Sequence, residues 1–168
     1  MRSSRTSTPE RAVDLDELLV REGVRDTIAR YAHAADGGRF ADLADLFAPD
    51  GVLELGPPDA RRFEGRAAIR DFLGSVGSAG GRDARPAPDP SPSGIRHHVA
   101  STWITVEGPG RVIARSYFLV VTDAGPDHWG RYRDELAPID GCWRFTHRLA
   151  LTDGAVPGGW AAARRAGA

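Results

Sequence analysis

Four strand-like segments between residues 97 and 151 decide the fold. They read HHVASTWITV (97–106), RVIARSYFLVVT (111–122), WGRYRDEL (129–136) and CWRFTHRLAL (142–151). All four are rich in the β-branched and aromatic residues that strands favour. Turn-forming residues separate them: EGPG (107–110), DAGPD (123–127) and DG (140–141). Because such short turns join antiparallel neighbours, the segment predicts a four-stranded meander.

Helical patterns dominate the chain before these strands. The first helix has two possible starts. One is Thr8-Pro9-Glu10, since proline suits the first helical position, and the other is Asp14, since Glu17 follows three residues later as in a capping box. Two glycines after Asp36 can end it. The predicted elements are a helix over 14–36, a short helix over 40–47, a strand over 52–55 and a third helix over 65–73. We expect the three helices to pack on one face of a curved, mainly antiparallel sheet and to enclose a pocket with it. This arrangement is an α+β fold.

The predicted domain covers residues 14–153, a length typical of one domain. Residues 1–13 are predicted to be a disordered tail, and residues 154–168 a second tail. Residues 74–94 are mostly Gly, Ser, Pro, Asp and Arg, so we expect a mobile loop or a lid there.

Charge and composition favour a small partner. The 22 basic and 23 acidic side chains nearly cancel, and no basic cluster lies on an aromatic segment. The pattern therefore predicts no nucleic-acid binding. No apolar run approaches the roughly 18 residues of a membrane span, and the N-terminus lacks the apolar core of a signal peptide. We expect a cytoplasmic protein that does not bind membranes, and the single Cys142 excludes an internal disulfide.

Known catalytic motifs are missing from the sequence. No HExxH metal motif, no GxSxG nucleophile motif and no phosphate-binding glycine loop occurs. The five histidines are His33, His97, His98, His128 and His147. We therefore expect no metal and no cofactor, and an acid–base mechanism is the chemistry that remains.

Tyr31, Asp36 and the paired histidines are the acid–base candidates, and each has an ordinary structural alternative. Tyr31 fits the apolar stripe of the first helix and could simply be core. Asp36 at a helix C-terminus is electrostatically unfavourable, but it could be a solvated turn residue. Adjacent strand residues point to opposite faces, so only one of His97 and His98 can face the helices. Alternation places His97, Val99, Ser101 and Trp103 on one face, and the pattern does not choose between the faces.

Six short stretches, in this order, resemble the SnoaL-like branch of the nuclear transport factor 2-like superfamily over residues 15–152. They are IARYA (28–32) with Asp36, LADLFAPDG (43–51), FEGRAAI (63–69), RHHV (96–99), GRYRD (130–134) and DGCWRF (140–145) with Arg148. The resemblance implies a cone-shaped fold with an internal pocket, usually in a homodimer or higher homo-oligomer.

The resemblance also implies roles for individual residues. In dehydratase and dehydrochlorinase relatives, a strand histidine removes a proton and an aspartate at the end of the first helix orients it. These positions match His97 and Asp36, and the helix tyrosine of the dehydratases matches Tyr31. Scytalone dehydratase uses a second strand histidine, where this chain has Ser116. The candidate substrate-binding residues are Trp103, Tyr117, Tyr132, Phe145 and Arg148.

These assignments lead to three hypotheses. The first is a cofactor-independent lyase or isomerase of dehydratase type, acting on a hydrophobic polycyclic or polyketide-like molecule through His97 and Asp36. The second is a cyclase of secondary metabolism that uses the same pocket. The third is a non-catalytic ligand-binding or dimerisation module.

Overall fold

The computed structural model describes residues 12–57, 59–79 and 94–162, and these contain three helices, a six-stranded sheet and a helical turn from Trp160. The helices are α1 (Leu15–Asp36), α2 (Phe40–Ala44) and α3 (Gly65–Ala79). The strands are β1 (Phe47–Leu55), β2 (Arg61–Glu64), β3 (Arg96–Gly108), β4 (Arg111–Thr122), β5 (Gly125–Ile139) and β6 (Cys142–Ala155). None of the helices in these ranges is both long and apolar enough to cross a membrane.

Helix α1 begins and ends where the sequence predicts. The carboxylate of Asp14 accepts a hydrogen bond from the backbone N–H of Glu17 at 2.8 Å, which caps the helix. The chain turns after Asp36 through Gly37 and Gly38, and Gly38 has a φ of 65° that favours glycine. Asp36 is therefore held at the C-terminal end of α1, next to the sheet.

The six strands form one sheet in the order β2-β1-β6-β5-β4-β3. All neighbouring strands are antiparallel except β1 and β6, which are parallel, so the predicted meander and the α+β fold are confirmed. The register shifts between Ala100 and Trp103 in β3 and between Trp129 and Gly130 in β5. Such bulges bend strands, and the sheet curves around α1 and α3. We call the side toward the helices the helix-packed face and the other side the outer face.

Residues 47–51 differ from the prediction. The sequence assigns Phe47 to a helix and 49–51 to a turn, whereas α2 ends at Ala44 and β1 starts at Phe47. Phe47 is fully buried and pairs with Phe145 of β6, so tertiary pairing overrides the local turn signal. The register shift between Phe47 and Val52 accommodates the turn-forming residues within the strand.

Two further differences concern element lengths. Strand β2 was not predicted, because only Phe63 in its four residues RRFE is apolar. Helix α3 continues to Ala79, beyond the predicted end at residue 73, so residues 74–79 are helical. The rest of the predicted loop or lid, residues 80–93, lies outside the described residues, as do residues 1–11 of the N-terminal tail.

The core lies between α1 and the helix-packed face of the sheet. Tyr31 packs edge-on against Phe47 and Phe145, with ring centroids 6.3 and 5.8 Å away. Thr27 joins α1 to β6 because its hydroxyl donates to the backbone oxygen of Trp143 at 2.8 Å. Gly23 allows this contact, since a Cβ there would lie 2.7 Å from the Trp143 indole. These contacts fix α1 against the strands that carry the site.

Candidate active site

Asp36 and His97 form a closely held pair. The Nδ1 atom of His97 lies 2.5 Å from Oδ1 of Asp36, and the backbone N–H of His97 points at both carboxylate oxygens at 3.2 Å. The residue Asp36 is only 7% exposed. The end of α1 supplies the carboxylate and the start of β3 supplies the imidazole, so the contact joins residues 61 positions apart in sequence.

This contact orients the imidazole of His97. An ionised carboxylate can only accept hydrogen bonds, so it selects the tautomer with the proton on Nδ1. The lone pair is then on Nε2, the nitrogen on the far side of the ring from Asp36. A carboxylate in this position also stabilises the imidazolium that forms when Nε2 takes a proton. The arrangement is that of an oriented general base.

Two adjoining pockets lie between the helices and the sheet, and we call them the two lobes of one cavity because they share five lining residues. The larger lobe has a volume of about 180 Å³ and the smaller about 140 Å³. His97 lines the smaller lobe, and Tyr132 lines the larger. The side chains common to both walls are Tyr31, Leu73, Val76, His128 and Trp160. A guest in this cavity would therefore meet apolar walls with a few polar groups, the usual composition of a small-molecule site.

Tyr31 lies at the junction of the lobes and remains a hydrogen-bond donor. Burial raises the pKa of its phenol above the ordinary value, and the nearby cation of Arg148 offsets this only in part. The phenol is consequently neutral at physiological pH and can donate its proton in a hydrogen bond. The structure brings Tyr31 and His97 to the wall of the same lobe.

Arg148 lies below the cavity wall instead of in it. Its guanidinium makes two hydrogen bonds to Asp134, at 2.8 and 2.7 Å, and both residues are essentially unexposed. The rings of Tyr31, Tyr132 and Phe145 surround it at 4.0 to 4.2 Å. Burial disfavours the charged form, but Asp134 outweighs burial and raises the pKa of Arg148 overall. This geometry makes Arg148 a permanent cation behind Tyr31.

Two of the predicted substrate-binding residues lie away from the cavity. Trp103 and Tyr117 are 72% and 60% exposed on the outer face. The simple alternation that grouped Trp103 with His97 fails because the bulge after Ala100 shifts the phase of β3. Tyr117 points outward because adjacent strand residues face opposite sides of the sheet, and its neighbour Phe118 points toward the helices. The fully buried Phe145 belongs to the core and does not line either lobe.

The structure shows a further histidine–carboxylate contact at the cavity, which the sequence does not predict. The Nδ1 atom of His128 lies 2.7 Å from Oδ1 of Asp127, and His128 lines both lobes. Trp160, in the predicted C-terminal tail, also lines both lobes. The sequence predicts a turn over residues 123–127, whereas β5 already begins at Gly125. Alternation counted back from Tyr132 would have placed His128 on the inward face.

The described residues do not point to a metal centre. Within them, no group of three or more His, Cys, Asp or Glu side chains is arranged to hold a metal ion. The Asp36–His97 and Asp127–His128 pairs are each a two-residue contact.

A protein-family model matches most of the chain and identifies its family. The model of the SnoaL-like domain matches residues 16–149. This range covers nearly all of α1, the strands β1 to β5 and the first part of β6. The chain belongs to the SnoaL-like family. The resemblance of the six short stretches to this family is thus confirmed.

Individual relatives agree with this assignment. A steroid Delta-isomerase from Nocardioides simplex is 45% identical over 56 residues, which are 33% of this chain and 45% of that protein. A candidate scytalone dehydratase from Novosphingobium aromaticivorans shares the fold, with a TM-score of 0.67, 21% identity and coverage of 83% and 87% of the two chains. A protein from Catenulispora acidiphila in complex with S-DNPA has a TM-score of 0.64, 27% identity and coverage of 81% and 95%. The relative matched by sequence is thus an isomerase, and the two solved structures share the fold.

Proposed function

We propose that this SnoaL-like protein is a cofactor-independent lyase or isomerase of dehydratase type. It removes a proton from the carbon next to a carbonyl group in a small, hydrophobic, polycyclic or polyketide-like ketone. The observation that carries the proposal is the 2.5 Å contact between His97 and Asp36 on the wall of the cavity between the helices and the sheet.

The reaction begins with proton transfer to His97. Nε2 takes the proton from the α-carbon, and the electrons of the broken C–H bond form the carbon–carbon double bond of an enolate. Asp36 stabilises the resulting imidazolium through Nδ1. A positioned base of this kind typically contributes ~10²–10⁴-fold to the rate.

The negative charge that develops on the carbonyl oxygen requires a hydrogen-bond donor. Tyr31 meets this requirement because its raised pKa keeps the phenol protonated and because it lines the same lobe as His97. Donors placed where charge develops in a water-poor site are usually a large part of catalysis. The cation of Arg148, 4.0 Å from the Tyr31 ring, adds positive potential behind this position.

Exchange of the α-hydrogens of a ketone for deuterium tests the first step directly. We expect the wild-type protein to accelerate this exchange in α-tetralone or in a keto steroid, followed by NMR in heavy water. His97→Ala and Asp36→Asn should each slow the exchange by at least ~10²-fold, because the base or its orientation is lost.

The exposed His33→Gln is the matched control and should leave the rate unchanged. Circular dichroism of each variant checks that the fold is retained. Exchange at a near wild-type rate in either His97→Ala or Asp36→Asn would contradict the mechanism.

A second candidate activity is the movement of a double bond in a steroid ketone. The 45% identity to a steroid Delta-isomerase over 56 residues favours it, although the match spans less than half of that protein. Both reactions start with the same proton abstraction. Product analysis with an unsaturated keto steroid separates them, since only isomerisation forms a conjugated enone without loss of water.

We also propose that the protein forms a homodimer through the outer face of the sheet. Trp103, Tyr117, Leu119 and Trp129 are between 37% and 72% exposed there. Leu119 and Trp129 are direct cross-strand partners, and Tyr117 lies two residues before Leu119 on the same side of β4. An exposed apolar patch of this kind is typical of a protein–protein interface.

A further inference from the structure

The histidines His97 and His128 occupy one row across three adjacent strands. In the register of the sheet, Val120 of β4 is the partner of His97 on β3 and also of His128 on β5. Cross-strand partners point to the same face, and Val120 is buried under the helices. Two strand spacings separate the histidine Cα atoms by about 10 Å. Both imidazoles therefore line the smaller lobe, with only the width of one strand between them.

His128 is oriented as firmly as His97. Its Nδ1 atom contacts Oδ1 of Asp127 at 2.7 Å, and Asp127 is only 3% exposed. The rings of Phe118 and Trp160 pack against the imidazole, each with a centroid distance of 5.8 Å. The Nε2 atom lies on the opposite side of the ring from Asp127.

The Asp127 carboxylate is itself fixed by the C-terminal segment. It accepts hydrogen bonds from the backbone N–H groups of Trp160 at 2.6 Å and Ala161 at 3.1 Å. These two contacts hold the carboxylate against Nδ1 of His128, so the orientation of the imidazole depends on the C-terminal segment.

We propose that His128 is a second catalytic residue, which protonates the departing oxygen of a β-hydroxy ketone while His97 removes the α-proton. This inference rests on the proposed function and sharpens its substrate class, because a hydroxyl group leaves poorly unless it is protonated. The family resemblance places Ser116 where scytalone dehydratase has its second histidine, and the buried hydroxyl of Ser116 has no hydrogen-bond partner within the described residues. His128 supplies the proton from the next strand instead.

The step balances as follows. The neutral Nε2 of His97 takes the α-proton, and the C–H electrons form an enolate whose oxygen Tyr31 holds. The enolate then re-forms the carbonyl, its electrons make the new carbon–carbon double bond, and the β-carbon–oxygen bond breaks toward oxygen. That oxygen takes the proton from Nε2 of His128 and departs as water. His97 ends protonated and His128 neutral, and proton exchange with solvent restores both.

Two probes separate the roles of the histidines. The first, α-tetralone, can only exchange its α-hydrogens, so it needs His97 but no leaving-group acid. The second, a β-hydroxytetralone, loses water to give a fluorescent naphthol, so it needs both residues. We expect His128→Gln to slow naphthol formation at least ~10²-fold more than it slows α-tetralone exchange, because only dehydration needs the leaving-group acid. His97→Ala should abolish both reactions, and His33→Gln should affect neither.

The retained exchange also shows that His128→Gln is folded, and His128→Asn provides a second variant. Dehydration at the wild-type rate in both variants would overturn the role of His128 and leave the proposed function intact. An equal loss of dehydration and exchange would also overturn it, since His128 would then act on the site as a whole. A wild-type protein inert toward both probes would instead refute the proposed function, and the inference with it.

Discussion

Strands β5 and β6 carry one arginine–aspartate pair on each face of the sheet. On the helix-packed face, Arg148 contacts Asp134 at 2.7 and 2.8 Å. On the outer face, Arg131 contacts Asp153 at 2.8 to 3.1 Å. The inner side chains are fully buried, whereas the outer ones are 44% and 38% exposed.

The difference shows that hydrogen-bond length alone does not measure how much an ion pair stabilises a fold. Water can replace either partner of the outer pair, so the loss of one side chain leaves the other hydrated. On the helix-packed face, aromatic rings take the place of water around Arg148. The loss of Asp134 would leave a buried charge without compensation.

The largest effect is expected when the inner pair is broken. Asp134→Ala should lower the free energy of unfolding by about 3–5 kcal/mol, the usual cost of removing one partner of a buried pair. Urea denaturation followed by circular dichroism measures it. Replacing both residues together, as Asp134→Leu with Arg148→Met, should recover much of that loss because no charge remains buried. A single variant as stable as the wild type would show that water reaches Arg148.

An intermediate effect is expected at the aromatic patch of the outer face. Trp103→Lys should weaken the proposed homodimer by at least ~10²-fold in its dissociation constant, as for a central interface residue. Sedimentation over a range of protein concentrations measures the equilibrium. The helix variant His33→Gln should dimerise normally. A wild-type protein that stays monomeric at every concentration would rule out this use of the outer face.

The smallest effect is expected at the outer ion pair. At protein concentrations low enough to keep the chain monomeric, Arg131→Ala should leave the unfolding midpoint in urea unchanged within error, because solvent screens this contact in the monomer. Added salt should likewise leave the difference between the variant and the wild type near zero. A clear destabilisation would mean that Arg131 is covered in solution.

The sequence predicts those parts of the fold in which local signals agree with the final packing. The cap at Asp14 and the turns between the strands act locally, so α1 and the meander were predicted correctly. Residues 47–51 misled the prediction because their turn chemistry yields to pairing with Phe145, nearly a hundred residues away. The bulge after Ala100 likewise turns Trp103 outward, and no residue pattern announces it.

The candidate site shows the same contrast between what local signals predict and what tertiary packing decides. The family resemblance made Asp36 and His97 the candidates, whereas alternation alone left His97 and His98 equivalent. Their hydrogen bond depends on where α1 ends relative to β3, which is a tertiary property. Asp127 and His128 were hidden because DAGPD has the composition of a turn. The catalytic role of each of these residues stays a prediction.

The parallel pairing of β1 with β6 also affects how the chain folds while it is being synthesised. Phe47 leaves the ribosome early, but its partner Phe145 follows only after almost the whole domain has been synthesised. Until then, the apolar side of α1 and the inner side of β1 lack the surface that they cover in the finished protein. Pairings of such long sequence separation are slow to form and expose apolar surface to other nascent chains. Growth at low temperature and slow translation should therefore favour recovery of correctly folded protein.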